Sequence, residues 1–218
     1  IMGGVDVVLK DAFFADPKSV NTSYVIPLRM TQVTGADSIL LGTSVVNSPS
    51  WTTASDWSTQ PKNYVLYALK FVNPWHGQYL RRGVDTFANN GTSTPRHQQY
   101  VENDEVVNLN TVAYMDNDLP LTVKDALGNN VTYTIRITFS QDGTCVLSSN
   151  NADVEISGTG KFVSKGEKNS LGGKDRDALY LDYNVNLKNQ GMNFATKDTL
   201  VLRTRNVVGA EYYSVIKQ

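Results

Sequence analysis

The sequence predicts an all-β protein, and three observations support this prediction. Along residues 131–139 every odd position is apolar and every even position is Thr or Arg, the side-chain period of two that is typical of a half-buried strand. The same alternation returns at residues 178–187, where the odd positions from Leu179 to Leu187 are apolar or aromatic. No stretch combines a helical period with capping residues.

In the first third of the chain the pattern is less regular. Residues 5–9 predict an opening strand, and residues 11–17 predict a turn because a Pro follows two acidic residues. Residues 21–31 alternate, and Pro27 within them predicts an edge strand because proline cannot donate to a ladder. Residues 64–72 are apolar on both faces, which predicts a central strand buried on both sides.

The segment Asn73–Gly77 interrupts this strand and predicts a domain boundary, with domains at residues 1–73 and 74–218. About eight short strands with tight turns follow, which favours an antiparallel barrel or sandwich for the second domain. They are predicted at residues 105–115, 119–124, 131–139, 144–148, 154–163, 178–187, 199–203 and 212–216.

Composition excludes several classes of function. The chain has 218 residues, with 20 basic and 21 acidic residues and a net charge of −1, so there is no basic excess to bind nucleic acid. No apolar run is long enough for a membrane-spanning helix. Cys145 is the one cysteine and the chain has two His, which excludes an intramolecular disulfide and a zinc site built from Cys and His pairs. We expect Cys145 to be a buried, unreactive strand residue.

Tryptophans in loop-like segments are the first candidates for ligand contacts. Residues 47–62 predict a long exposed loop that contains Trp51 and Trp57, and Trp75 lies in the boundary segment. Flat aromatic faces can stack on sugar rings. The alternative is that these rings fold back onto the core.

Two further groups complete the predicted ligand-binding residues. Tyr79, Arg81 and Arg82 form a polar-aromatic group just after the boundary, in which Arg could bind a carboxylate or a hydroxyl pair; the alternative is an interdomain salt bridge. Lys174 and Arg176 lie in a glycine-rich charged loop, whose alternative interpretation is surface charge that neutralises itself. Three nearby acids, Asp175, Asp177 and Asp182, do not have the spacing of a known calcium loop.

Nothing in the sequence indicates catalysis. Glu102, Asp104 and Glu105 cluster, but adjacent strand positions point to opposite sides, whereas a glycosidase needs two facing carboxylates. The two His residues lack the partners of a hydrolase triad, and no glycine-rich phosphate loop is present. We therefore expect a protein that is not an enzyme and uses no metal or cofactor.

Several phrases resemble a largely uncharacterised family of cell-surface lipoproteins from Bacteroides and its relatives. They cover most of the chain: DAFFADP at 11–17, YVIPLR at 24–29, GADSIL at 35–40, NPWHG at 73–77, YLRRG at 79–83, GTGKF at 158–162, GGKDRD at 172–177 and DTLVLR at 198–203.

This resemblance implies an immunoglobulin-like β-sandwich for residues 1–73, incomplete in its first strands, and a lipocalin-like barrel for residues 74–218. It also implies an outer-membrane lipoprotein on the extracellular face, whose lipid anchor lies outside this chain, near glycan-import complexes. We expect a non-catalytic surface protein that binds a glycan. The alternatives are a lipid or other apolar small molecule inside the barrel, or a structural or adhesive module that docks a partner protein.

Overall fold

The computed structural model describes residues 6–89 and 91–207. Internal contacts divide these residues into two compact units. Residues 21–70 form the first, here called the hairpin unit, and residues 6–20 with 71–207 form the second, here called the barrel unit. The predicted division between residues 73 and 74 stays a prediction. The predicted strand at 212–216 lies outside the described residues.

The hairpin unit contains two small antiparallel sheets. Strand β1 (Tyr24–Arg29) pairs with β4 (Tyr64–Leu69), and β2 (Thr43–Ser44) pairs with β3 (Trp57–Thr59), which follows a 3-10 turn at Ala54–Asp56. In its sheet β1 has one neighbour, which confirms the edge strand predicted from Pro27. The immunoglobulin-like sandwich stays a prediction for this part of the chain.

The prediction of a central strand at residues 64–72 is wrong. Strand β4 ends at Leu69 and pairs with β1 alone in a two-stranded sheet. More than half of the surface of Val65 and of Tyr67 is exposed to solvent. An apolar residue on each face of a strand therefore does not place that strand inside a sheet, since burial also needs a second layer.

The start of the barrel unit also differs from the prediction. Residues 6–10 form neither helix nor strand, so the predicted opening strand is wrong for the part that the structure describes. The predicted turn at 11–17 is a short helix, α1 (Asp11–Ala15), followed by a 3-10 turn at Pro17–Val20. Phe13 and Phe14 pack edge to face within α1, and Phe14 also packs on Phe71 with ring centroids 5.5 Å apart.

Nine strands of the barrel unit form one antiparallel sheet. They are β5 (Gly77–Phe87), β6 (Ser93–Arg96), β7 (Glu105–Thr111), β8 (Asp116–Lys124), β9 (Asn130–Phe139), β10 (Thr144–Ser148), β11 (Val154–Glu167), β12 (Arg176–Leu187) and β13 (Met192–Thr204). Short 3-10 turns lie at Val101–Asn103, Leu171–Gly173 and Lys188–Gln190. Because β13 also pairs with β5, eight of the strands close into a barrel, and β6 extends the sheet beside the second half of β5. The all-β prediction and the antiparallel barrel are confirmed.

Side chains of the barrel fill its own interior. The odd positions of β12 from Leu179 to Leu187 are buried as predicted, and they pack with inward residues of β8, β9 and β13. Gly158 and Gly160 lie opposite Tyr183 and Leu181, respectively. A Cβ atom at either glycine would collide with the residue opposite, so these glycines make room for larger neighbours.

Cys145 lies in this interior, as predicted from its strand context. It pairs in register with Phe139 on β9 and with Gly160 on β11. Burial raises the pKa of its thiol to about 12. The thiolate is the reactive form, so the folded protein presents an inert thiol at neutral pH.

The raised pKa of Cys145 predicts how the stability of the fold depends on pH. A thiol whose pKa is raised by folding stabilises the fold fully below its unfolded pKa of about 8.5, and that contribution is lost as the pH rises towards 12. We expect iodoacetamide at pH 8 to leave the native protein unmodified and to label it in urea, as measured by mass spectrometry. A Cys145→Ser variant provides the unlabelled control, and rapid labelling of the native protein would contradict the assignment.

The pairing of β5 with β13 should be sensitive to any side chain at position 83. It faces Asp198 across β5 and β13, and a Cβ atom there would overlap the Asp198 carboxylate and the Lys197 carbonyl oxygen. We expect Gly83→Ala to lower the free energy of unfolding by about 1–3 kcal/mol, measured by urea titration.

Gly128→Ala is the control for this substitution. Gly128 has a φ of +85° and open space around its Cβ position, so it reports left-handed backbone strain without overlap. We expect it to cost about 1 kcal/mol. Equal stability of Gly83→Ala and the wild type would show that β5 and β13 can separate enough to accept the methyl group.

Candidate functional site

The predicted group Tyr79, Arg81 and Arg82 is divided by the alternation of β5. Tyr79 and Arg81 point into the barrel, and Arg82 points outwards. Tyr79 is fully buried and donates a hydrogen bond from its hydroxyl to the Trp75 carbonyl oxygen at 2.7 Å. Burial raises the pKa of the Tyr79 hydroxyl far above its usual range. These contacts give Tyr79 a role in the core.

Arg81 belongs to an ion cluster inside the barrel. Its side chain is 3% exposed, and its Nε donates to Asp198 Oδ2 at 2.8 Å. The Tyr183 hydroxyl donates to the same carboxylate oxygen at 2.8 Å, and Arg96 binds the other Asp198 oxygen at 2.7 Å. Arg96 also forms two hydrogen bonds with Asp85. The interdomain salt bridge considered from the sequence is therefore an ion cluster within the barrel unit.

The three predicted tryptophans have structural contacts. Trp75 is buried and stacks on Phe139 with ring centroids 4.1 Å apart, so it lies in the barrel core and not on a loop surface. In the hairpin unit Trp51 is half-buried and stacks on Tyr64. Trp57 is also half-buried and donates from its indole nitrogen to the Ser50 carbonyl oxygen. Ligand contact at Trp51 and Trp57 stays a prediction.

Arg82 opens onto a concavity outside the barrel, here called the loop cleft. Two loops form its walls, and Val201 of β13 lies at its base. The cleft has a volume of about 300 Å³, at the lower end of ligand-binding pockets. Its lining consists of Arg82, Gln99, Tyr100, Val101, Glu102, Glu167, Lys168, Asn169, Ser170 and Val201.

The first wall is a loop fixed by a buried carboxylate. Asp104 accepts a hydrogen bond from Arg82 Nε at 2.6 Å and one from the Gln98 backbone N–H at 2.6 Å. The 3-10 turn Val101–Asn103 closes with a hydrogen bond from the Asn103 N–H to the Tyr100 carbonyl oxygen. This loop presents Tyr100 at the surface with 60% of its area exposed. A fixed backbone with an exposed aromatic ring is an arrangement suited to stacking.

The second wall is the connection from β11 to β12, which carries the predicted residues Lys174 and Arg176. Asp175 accepts hydrogen bonds from the Asn169 backbone N–H and from Lys168, and these contacts lower its pKa. Arg176 donates from Nε to the Leu171 carbonyl oxygen, which fixes the turn. Lys174 is exposed but does not line the cleft. Arg176 therefore holds the turn at Leu171 in position and does not itself line the cleft.

Charge and hydrogen bonding in the cleft favour a neutral, hydroxylated ligand. Among the described residues, none forms a hydrogen bond with the buried Nη2 atom of Arg82. Arg82 is balanced by Asp104 and Lys168 by Asp175, whereas Glu102 and Glu167 add negative charge. Carboxylates accept hydrogen bonds from hydroxyl groups and repel anions.

The sequence does not predict Tyr100, or Glu167 and Asn169 of the second wall, as residues of the site. Tyr100 follows a polar run, and no periodicity or spacing distinguishes it from other surface tyrosines. From the sequence, Glu102 is a candidate only as one of the two carboxylates that a glycosidase needs. The proximity of Glu167 and Asn169 to Arg82 depends on the pairing of distant strands, which local sequence does not reveal.

Residues 6–89 and 91–207 contain neither a metal-binding cluster nor a membrane-spanning helix. In those ranges no three His, Cys, Asp or Glu side chains gather closely enough to hold a metal ion. No helix within the same ranges has the length and apolar character required to cross a bilayer.

The barrel unit contains a match to a known family. Residues 74–206 match the model of a family described as Domain of unknown function (DUF5627). The chain belongs to the DUF5627 family. Its DUF5627 region contains all nine strands of the large sheet and both walls of the loop cleft. A search of curated proteins found no match.

A solved structure supports the Bacteroides relationship. The chain is 57% identical to a protein of unknown function from Bacteroides ovatus, and its fold superposes on that crystal structure with a TM-score of 0.82. The match covers 96% of this chain and 67% of the other chain. The predicted relationship to an uncharacterised Bacteroides family is thus confirmed, whereas its lipoprotein, immunoglobulin-like and lipocalin-like details stay predictions.

The ion cluster predicts a large stability effect at Asp198. Asp198→Ala leaves the buried Arg81 and the partly exposed Arg96 without their shared carboxylate, and we expect it to lower the free energy of unfolding by about 3–5 kcal/mol. The matched control is Asp118→Ala, which breaks an ion pair with Arg136 that is about one quarter exposed. We expect the control to cost at most about 1 kcal/mol. Similar losses for the two variants in urea titrations would refute the special role of Asp198.

Proposed function

We propose that this protein is a non-catalytic binding protein of the outer-membrane surface and that its ligand is a neutral glycan held in the loop cleft. The single observation that carries the site is that the exposed Tyr100 lines the same cleft as Arg82, whose Nη2 forms no hydrogen bond with the described residues. A pyranose ring offers an apolar face for stacking and hydroxyl groups for hydrogen bonds. The cleft supplies groups that complement both.

Rigidity of the walls also supports this proposal. Asp104 and Asp175 hold the two loops through side-chain hydrogen bonds to backbone N–H groups, at 2.6 Å and 3.1 Å respectively. A preorganised site loses less conformational entropy when it binds a ligand. Surface location, a lipid anchor and association with an import complex rest on the family resemblance and belong to the same proposal.

The interior of the barrel lends no support to the alternative of an apolar ligand. Among the described residues, Tyr79, Tyr183 and Phe194 are fully buried and occupy the interior together with the Arg81–Asp198 pair. The loop cleft lies outside the barrel wall. The apolar-ligand alternative stays a prediction.

Tyr100 provides the direct test. A glycan array should identify a neutral oligosaccharide that binds the wild type, and calorimetry should then give its Kd. We expect Tyr100→Ala to raise that Kd about tenfold, because the loss of one stacking ring costs about 1.4 kcal/mol. Tyr67→Ala is the matched control, since Tyr67 is an equally exposed tyrosine in the hairpin unit, and its Kd should equal that of the wild type.

Other outcomes of the same experiment are informative. An array without any hit would overturn glycan binding. A hit whose Kd responds to Trp51→Ala or Trp57→Ala but not to Tyr100→Ala would move the site to the hairpin unit and refute the loop cleft. Turnover of the bound oligosaccharide would contradict the non-catalytic assignment.

A further inference from the structure

A β-bulge near the end of β11 precedes Glu167, one of the residues that line the loop cleft. Val163 and Glu167 both pair with β12, but residues 164–166 lie between them opposite Asp177 alone. A bulge of this kind bends its strand and changes the direction of the side chains beside it. Glu167 is the last residue of β11 and lines the cleft.

The bulge is held by a carboxylate of β12. Asp177 Oδ1 accepts hydrogen bonds from the Lys165 backbone N–H at 2.9 Å and from the Ser164 hydroxyl at 3.1 Å. Lys165 has a φ of +52°, in the left-handed region that residues with a side chain rarely adopt. Asp177 therefore fixes the backbone from which the Glu167 side chain extends.

Tyr180 fixes the carboxylate of Glu167 itself. The Tyr180 hydroxyl donates to Glu167 Oε1 at 2.8 Å. Gly166 leaves room for this contact, since a Cβ atom there would lie 3.0 Å from the Tyr180 hydroxyl oxygen. Burial and the Glu167 carboxylate raise the pKa of Tyr180 to about 12, so its hydroxyl stays a donor at neutral pH. Among the described residues, none donates a hydrogen bond to the other oxygen, Oε2.

The charges of the lining distinguish Glu167 from its neighbours. Arg82 and Lys168 each form an ion pair with an aspartate that lies outside the lining. Within the described part of the chain, Glu102 and Glu167 form no ion pair. Of these two carboxylates, only that of Glu167 is held by a side-chain hydrogen bond. A carboxylate held in place cannot turn away from an anionic group that enters the cleft.

We propose that Glu167, held by Tyr180, determines the specificity of the loop cleft by accepting a hydrogen bond from a sugar hydroxyl and excluding sugars that carry a carboxylate. This assignment rests on the proposed function, in which the cleft binds a neutral glycan. The hydroxymethyl group of a hexose can donate a hydrogen bond to Glu167. The carboxylate of the corresponding uronic acid has no proton to donate at neutral pH and is repelled.

Matched pairs of sugars test the assignment. The probes are tetrasaccharides of glucose, galactose and mannose, together with their uronic acid counterparts, in which a carboxylate replaces each hydroxymethyl group. Calorimetry at neutral pH gives the Kd of each probe for the full chain. We expect a neutral tetrasaccharide to bind with a Kd at least about tenfold lower than that of its uronic acid counterpart.

Glu167→Gln removes the charge of this side chain and keeps its shape. We expect it to raise the Kd of the neutral tetrasaccharide about threefold to tenfold, because a charged acceptor forms the stronger hydrogen bond. The preference over the uronic acid counterpart should fall to about twofold. Glu155→Gln is the matched control, since Glu155 accepts a hydrogen bond from Asn186 at 3.0 Å and does not line the cleft. It should keep the Kd and the preference of the wild type.

Tyr180→Phe tests the positioning role, because it removes the hydroxyl that holds Glu167. We expect the preference for the neutral tetrasaccharide to fall at least about threefold, whereas a merely structural role would weaken both sugars equally. A second measurement needs no sugar. Glu167→Gln should lower the pKa of Tyr180 from about 12, as followed by NMR of the ring carbons, because a carboxylate acceptor stabilises the protonated hydroxyl.

Failure of this assignment can be told apart from failure of the proposed function. If no neutral tetrasaccharide binds, glycan binding and the assignment are both overturned. If a neutral tetrasaccharide binds no better than its uronic acid counterpart, the assignment is overturned and glycan binding stands. A preference that falls with Glu102→Gln but not with Glu167→Gln would assign the exclusion to Glu102 instead. An unchanged preference in Tyr180→Phe would refute the positioning role of Tyr180.

Discussion

The buried ion pair between Arg81 and Asp198 is the interaction on which the barrel depends. It joins β5 and β13, the strands whose pairing closes the sheet. Asp198 reaches its position because Gly83 lies directly opposite and has no side chain. A buried charge is tolerated only when it is compensated, and Asp198 has Arg81, Arg96 and Tyr183 as partners. The ion cluster therefore favours a single register of β5 against β13 when the barrel closes.

Side chains of the barrel pack together in its interior, and the candidate site lies outside the barrel wall. Aromatic residues and the ion cluster occupy the space that a small ligand would otherwise take. The loop cleft forms where loops leave the regular sheet, at the connections from β6 to β7 and from β11 to β12. Loops on a rigid scaffold are the usual carriers of binding residues, and the carboxylates of Asp104 and Asp175 fix the loops that form this cleft.

Sequence patterns predicted the positions of the strands well, but they predicted poorly which strands pair with each other. The alternation at residues 131–139 and 178–187 correctly assigned inward and outward faces, because one buried face requires a period of two. The prediction for residues 64–72 is wrong because apolar residues on both faces also occur in a strand with one neighbour.

The candidate site was harder to predict than the strands. Arg82 was identified from its neighbours, but its cleft depends on Glu167 and Asn169, which approach it only after the barrel closes. Likewise, Arg81 contacts Asp198 across 117 positions of sequence, a separation over which local patterns carry no information. Tyr100 is a candidate because it is exposed and lines the cleft, and exposure is a property of the folded molecule alone.

The order of the strands has a consequence for biogenesis. The first and last members of the barrel are neighbours, so a ribosome must release the chain up to about Thr204 before the ring can form. Until then both terminal edges stay available to other nascent chains, and long-range closure is intrinsically slow. Hairpins between β8 and β13 can assemble earlier, since each joins sequential segments. Productive folding thus depends on protecting an open curved sheet during synthesis.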